Sequence, residues 1–403
     1  MSESKYRYKG KVFFVLPLIL FISRLAINNS TLLAYVNIND FANQILLCIG
    51  IVCFLLKFCM YDIKSLTIFD ILKMLILTII FLIAFFLNQL TDLIFLLILL
   101  LSSYRIRLDS VIKTHFFVYL AFTCITIILS LSGIIQNFSP DGIHYSMGNT
   151  YTTDFASGIL FLCLDFIYLY RYAWKVRYSL FIILIALITY VISGSMTSSS
   201  LIVISSLGTL FLLDPTCRKV LSSKILGWTS ICIFPILFIS SLYIHTSDAF
   251  LNSSFMHKLN FLFNNRFFYG HEAIVKFGIS TWGKGKEIVM NMNGGGWGTN
   301  QSIYNPSNPS GNYFYVDNGY LQLTLLYGWI IAILICFGFS YFMFIKRKED
   351  SEDYPVLVLI IIILAISGIS EPRFYNILYS VILLGVGSKL IFHHKPINNL
   401  GRK

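Results

Sequence analysis

Charge is scarce in this chain. Asp, Glu, Lys and Arg make up 12% of its 403 residues, about half the share of a soluble domain. With 57% hydrophobic residues beside so little charge, a water-soluble globular protein is excluded and an integral membrane protein remains. The eight cysteines are Cys48, Cys53, Cys59, Cys124, Cys163, Cys217, Cys232 and Cys336, and none lies in the long polar loop of the C-terminal third. No disulfide framework follows, and no Cys/His spacing suits zinc. No small-x-small cleavage site follows the basic residues Lys5, Arg7, Lys9 and Lys11 and the apolar run to Ile27. That stretch therefore reads as an uncleaved first span. No internal repeat, separate soluble domain or P-loop is present.

What the chain does have is apolar runs that reach the roughly 17–20 residues needed to cross a bilayer. Twelve spans are expected, at about 11–27, 42–58, 66–87, 89–103, 115–135, 154–170, 178–193, 199–213, 226–244, 319–345, 355–370 and 374–392. The fourth is short. Of the 30 Lys and Arg residues, Lys258, Arg266, Lys276, Lys284, Lys286 and Arg373 fall in loops on one side, and Arg24 and Lys73 fall within spans. The rest lie on the other side. That bias places both termini in the cytoplasm and absorbs the net charge of +11, so nucleic acid is not an expected partner. The expected fold is an all-α integral membrane protein of about twelve transmembrane helices. Residues 1–403 form one polytopic domain, and 245–318 form one large extracytoplasmic loop. Within that loop, 255–279 mixes apolar and cationic residues as an interfacial helix does. The stretch 291–315, rich in Gly, Asn, Ser and Pro, reads as an irregular, lid-like loop.

The most informative segment is Val316-Asp317-Asn318-Gly319-Tyr320-Leu321-Gln322-Leu323, followed by Tyr327-Gly328, where the long loop re-enters the membrane. Polar groups at that depth are costly without partners or a function. Asp317 either caps a helix or acts as a general base toward a hydroxyl. Tyr320 either lines a sugar site or anchors at the interface. Arg266 either grips phosphate in a bidentate contact or snorkels to lipid headgroups. Lys284, in Gly283-Lys284-Gly285-Lys286, lies in a turn that can approach an anion or simply be solvated. Glu371 and Arg373 form either a buried pair, an anion site or a surface turn. His144 and Tyr145 in the 136–154 loop carry no motif of their own, and His271 is a lone interfacial histidine. The serines of 193–200 have no His/Asp partners at hydrolase spacing.

Five features in this order resemble the O-antigen ligase/polymerase superfamily, most closely its Wzy-type capsular and exopolysaccharide polymerases. They are Ser193-Gly194-Ser195-x-Thr197, Asn265-Arg266, Trp282-Gly283-Lys284-Gly285, Val316 to Leu323 with Tyr327-Gly328, and Glu371 with Asn376. The resemblance implies a GT-C-like polymerase/ligase architecture in a bacterial cytoplasmic membrane. It implies undecaprenyl-pyrophosphate-linked oligosaccharides and membrane lipid as partners, with a chain-length regulator and a flippase beside them, and no cofactor. It assigns Asp317 the role of base and Arg266 the pyrophosphate, with Arg373, Lys284, Asn318, Tyr320 and Glu371 binding substrate. Relatives often carry an arginine where this chain has Met196, for which Arg373 or Lys284 compensates. The implied reaction is metal-independent attack of an acceptor sugar hydroxyl on the anomeric carbon of a pyrophosphate-linked chain, consistent with the absence of an Asp-x-Asp motif from the polar loops. Transfer of a finished glycan by a ligase uses the same residues. A flippase is the competing class, but it usually shows two similar halves, which this chain lacks.

Overall fold

The structure, a computed structural model, describes residues 3–36, 40–214, 219–221, 223–247, 252–262, 266–292, 314–349 and 352–391. Among them every regular element is helical, apart from an isolated bridge between Ser30 and Asn149. The helices are α1 (Glu3–Asn28), α2 (Asp40–Lys57), α3 (Ile68–Asn88), α4 (Thr91–Ser102), α5 (Leu108–Leu131), α6 (Thr152–Leu169), α7 (Val176–Ser193) and α8 (Met196–Leu213). They continue with α9 (Lys224–Thr246), α10 (Ser254–Leu262), α11 (Arg266–Phe277), α12 (Gly285–Asn291), α13 (Gly319–Tyr327), α14 (Trp329–Lys348), α15 (Tyr354–Ser370) and α16 (Ile382–Ile391).

Nine of the described helices are long and apolar enough to cross a membrane: α1, α2, α3, α5, α6, α7, α8, α9 and α14. α4 and α15 are apolar but shorter. The chain is thus a multi-pass helical membrane protein. Helices α2, α3 and α7 leave Val52, Leu75, Phe86 and Val191 exposed, as a surface solvated by lipid requires. α4 is buried from Leu93 to Ser102, and most of α15 is buried with it, so these two form the centre of the bundle.

Local chemistry sets several helix ends. Thr67 and Asp70 form a reciprocal capping box that starts α3. Gly194 ends α7 in the left-handed region at φ 66°. At the basic end of the bundle, the Lys57 ammonium donates to Asp62 at 2.5 Å and to the Tyr104 carbonyl at 2.9 Å. Arg171 there bridges Asp109 at 2.6 Å and Asp353 at 2.5 Å, its guanidinium flanked by Tyr168 and Tyr172.

Two expected spans take other forms. The span expected at 319–345 is broken at Gly328, so only α14 runs far enough to cross. α13 begins beside Ser241 of α9 and the Ile369 carbonyl. It ends beside the 280–284 turn, which is itself anchored to Asn88 of α3. α13 therefore lies across one end of the bundle. The break is held by that turn: Lys284 N–H donates to Leu325 O at 2.9 Å and Trp329 N–H to Ser280 O at 3.2 Å. Gly328 adopts φ 87°, and a Cβ there would overlap the Thr281 carbonyl and the Trp282 backbone. The span expected at 374–392 is likewise not one helix. Residues 371–381 are turns, and helix resumes only at Ile382. This irregular stretch is nonetheless buried, with Phe374 fully enclosed.

The amphipathic stretch 255–279 appears as α10 and α11, with 263–265 outside the described residues. α11 buries Gly270, Ala273 and Phe277, and these contact α9 and α13, so protein covers that face. The lid-like stretch lies mostly outside the described residues, at 293–313.

Ala at Gly328 is expected to cost about 1–3 kcal/mol more than Ala at Gly278, which also has positive φ but meets no atom within 4 Å. Thermal unfolding of the two variants in detergent measures the difference. Equal losses would show that the 280–284 turn does not hold the break.

Candidate functional site

The site forms where α13, α15, α6, α8 and α11 meet at the end of the bundle opposite Lys57 and Arg171. Asn318 caps α13, its Oδ1 accepting from Leu321 N–H at 3.0 Å and from the Ser241 hydroxyl at 2.7 Å, while its Nδ2 donates to Ile369 O at 3.2 Å. With Asn318 so fixed, the preceding Asp317 turns toward α11. Its carboxylate pairs with Arg266 Nε at 3.2 Å. Arg266 opens α11 and donates from Nη1 to the Ser370 carbonyl at 2.7 Å. Both partners keep some access, with side chains 23% and 15% exposed.

One residue beyond Ser370, the backbone leaves helical geometry and a second charged group begins. Glu371 accepts from Ser198 of α8 at 2.9 Å, from Ser157 of α6, and from Arg373 Nη1 at 2.9 Å. Arg373 also pairs through Nη2 with Asp154 Oδ1 at 2.6 Å and donates to Thr153 at 3.3 Å. The Tyr379 hydroxyl donates to the same Asp154 oxygen at 3.1 Å and accepts from Asn29 at 2.7 Å. One guanidinium thus serves two buried carboxylates. The second Asp154 oxygen, Oδ2, has no hydrogen-bond partner among the described residues. Below, Tyr375 donates to Gln322 at 2.5 Å, and Gln322 donates to the Val316 carbonyl at 3.1 Å. The segment after α15 is thereby tied to the re-entry.

The structure brings together five of the residues singled out from sequence: Arg266, Asp317, Asn318, Glu371 and Arg373. The Ser193–Ser200 turn joins them through Ser198. Two others stand apart. Tyr320 is fully buried between Phe234 and Phe374, and its hydroxyl donates to Ala365 O at 2.7 Å. It fastens α13 to α15 and reaches no open surface. Lys284 is exposed at the far end of α13, where its backbone supports the Gly328 break. Asn318 acts as a cap, its side chain bonded to Leu321, Ser241 and Ile369.

Sequence reasoning missed Asp154, Ser157, Thr153 and Tyr379. A signal was available, because Asp154 heads an expected span, and an ionisable residue there calls for a partner. Attention to cations alone passed over it. The same oversight hid His115 and Asp165, whose side chains meet at 2.5 Å inside the bundle. His115 also contacts the Leu378 carbonyl through Nε2 at 2.8 Å.

Among the described residues, no group of three or more His, Cys, Asp or Glu side chains could hold a metal. Comparison with known proteins adds no relative: no family model, no curated protein and no solved structure matches the chain.

The local chemistry separates two roles. A buried guanidinium compensating two carboxylates is chiefly structural, because removing it strands both charges. Arg373→Met is expected to lower stability by about 3–5 kcal/mol, read by thermal unfolding in detergent. Normal unfolding with lost activity would instead make Arg373 a substrate ligand.

Proposed function

We propose that the chain is a glycosyltransferase acting on lipid-linked oligosaccharides. It polymerises undecaprenyl-pyrophosphate-linked repeat units into capsular, exopolysaccharide or O-antigen chains at the outer face of a bacterial cytoplasmic membrane. In this reading the bundle end carrying Arg266 and Asp317 faces outward and both termini face the cytoplasm. The reading rests on the resemblance of the five sequence features. The observation that carries it is the partly open Arg266–Asp317 pair beside the non-helical Ser370–Arg373 segment, on a bundle with a lipid-facing exterior.

The chemistry follows from the charges. Arg266 is the accessible cation of the group, and a pyrophosphate offers it bidentate acceptors stronger than a single carboxylate contact. As the acceptor hydroxyl attacks the anomeric carbon, the bond to the pyrophosphate breaks and negative charge builds on the leaving oxygen. Arg266 stabilises that charge. Donor binding displaces Asp317 from the guanidinium. The Glu371–Arg373–Asp154 group keeps Ser370 and its carbonyl in place to aim Arg266. Lys284, being distant along α13, has its place with the outer part of a long substrate. The ligase variant of the reaction uses the same residues and differs in its acceptor.

A second reading, a lipid-oligosaccharide exporter, draws on the buried His115–Asp165 pair, since ionisable groups inside a bundle mark transport pathways. The deciding measurement is the length and sidedness of lipid-linked glycan in a host with and without the gene. Polymerase activity predicts single repeats on the carrier after deletion and long chains on restoration. Long chains held on the carrier but not transferred would point to a ligase, and single repeats trapped inside would point to an exporter. Within the polymerase reading, Arg266→Lys keeps the charge but loses the planar fork. It is expected to reduce elongation at least about 10-fold with normal insertion. Wild-type chain length would remove Arg266 from the donor site.

A further inference from the structure

The loop between α5 and α6 contains an acid–base pair that the site described above does not use. Asp141 Oδ1 accepts the backbone N–H groups of Ile143 at 2.9 Å and His144 at 2.8 Å. Its Oδ2 meets His144 Nδ1 at 2.5 Å. These contacts, the His144 backbone and ring first and then the Ile143 N–H, hold the Asp141 carboxyl well below the usual range. The carboxylate therefore stays ionised and accepts a hydrogen bond from Nδ1–H. In the neutral ring Nε2 is then the acceptor nitrogen. It makes no hydrogen bond to any described residue.

The ring is placed as well as oriented. Tyr145 N–H donates to Ile192 O at 2.7 Å, which ties the loop to the end of α7. The imidazole lies over Gly194, where an added Cβ would come within 2.8–2.9 Å of its Cδ2, Cγ and Nε2 atoms. Only glycine admits both this contact and the left-handed backbone found there. The turn beneath, 193–196, carries no charge. Among the described residues Asp141 is the charged group bonded to the ring, and the Ser198 hydroxyl of α8 reaches Glu371 at 2.9 Å. The imidazole keeps access, with its side chain 34% exposed. Arg266 contacts Ser370 on one side of the Ser370–Glu371 corner, and Ser198, about one turn beyond the Gly194 that the His144 ring covers, contacts Glu371 on the other.

We propose that His144, oriented by Asp141, is the general base of the transfer and takes the proton of the acceptor sugar hydroxyl on Nε2. This deepens the glycosyltransferase reading and rests on it. The acceptor oxygen forms its bond to the anomeric carbon as the carbon–oxygen bond to pyrophosphate breaks. The electron pair leaves on the pyrophosphate oxygen, and the hydroxyl proton passes to Nε2, with Asp141 stabilising the imidazolium. An oriented imidazole with one free nitrogen suits this step. Asp317, by contrast, lies beside Arg266, the cation given to the donor.

The test uses membranes of the deletion host, which hold unelongated lipid-linked repeats, supplied with wild-type or variant protein. His144→Gln is expected to slow elongation about 100-fold or more with unchanged insertion, and Asp141→Asn to slow it in the same direction. His144→Gly, which opens a space over Gly194, should regain elongation when imidazole is added, with the gain rising as imidazole becomes deprotonated. A loop-packing role would not give that rescue. Near-wild-type elongation by His144→Gln, or a slow His144→Gly that imidazole fails to restore, would overturn the base while the polymerase reading stands. No chains longer than one repeat from the wild-type protein would overturn the reading and the base with it.

Discussion

Backbone that is not helical, in a protein solvated by lipid, must find its hydrogen-bond partners inside the protein. Residues 371–381 impose that demand here. They start at the site end of the bundle with Glu371 and reach Leu378, whose carbonyl meets His115 two turns into α5. Turn bonds such as Asn376 N–H to Arg373 O at 3.1 Å and Tyr379 N–H to Asn376 O at 3.0 Å satisfy part of the backbone. Side chains from four other helices bond further polar groups of the segment: Asp154 and Ser157 from α6, Ser198 from α8, Gln322 from α13 and His115 from α5. The central position of α4 and α15 follows from this. A polar irregular strand can persist only where protein surrounds it.

The same demand shapes the charges. Arg373 is committed to Glu371 and Asp154, and removing charge from water is repaid only by close pairing of this kind. Arg266 and Asp317 form a looser pair at a partly open position. The two groups share the Ser370–Glu371 corner, so the rigid one fixes the geometry of the open one. That division, a closed scaffold beneath an accessible cation, is how binding sites gain precision. The Asp141–His144 loop lies over Gly194, at the turn from which α8 carries Ser198 to the same corner.

Much of the fold was legible in the sequence because a bilayer leaves the chain few choices. Apolar runs of sufficient length had to become helices, and α3, α6, α7 and α9 follow the expected spans closely. The meeting of Arg266, Asp317, Glu371 and Arg373 was legible as a set, because each is an ionisable residue at the edge of an apolar run. Of their pairings, a buried Glu371–Arg373 pair was among the alternatives the sequence offered, and the others were not legible. Arg266 and Asp317 are separated by a long loop, and Asp154 reaches Arg373 across more than half the chain.

Composition and hydropathy by themselves determined that this is a multi-pass helical protein. They set where most helices lie and which residues are too polar to be left without partners. The tertiary structure alone decided where helices stop within apolar runs. Leu325, Tyr327 and Trp329 read as one continuous helix until the 280–284 turn supplies bonds to the groups freed at Gly328. Phe374 to Tyr379 read as a span until Asp154, Gln322 and His115 provide for its irregular backbone and side chains. The physical reason is the same in both places. A break inside an apolar run is stable only if distant segments compensate it, and hydropathy, a local property, carries no record of those segments.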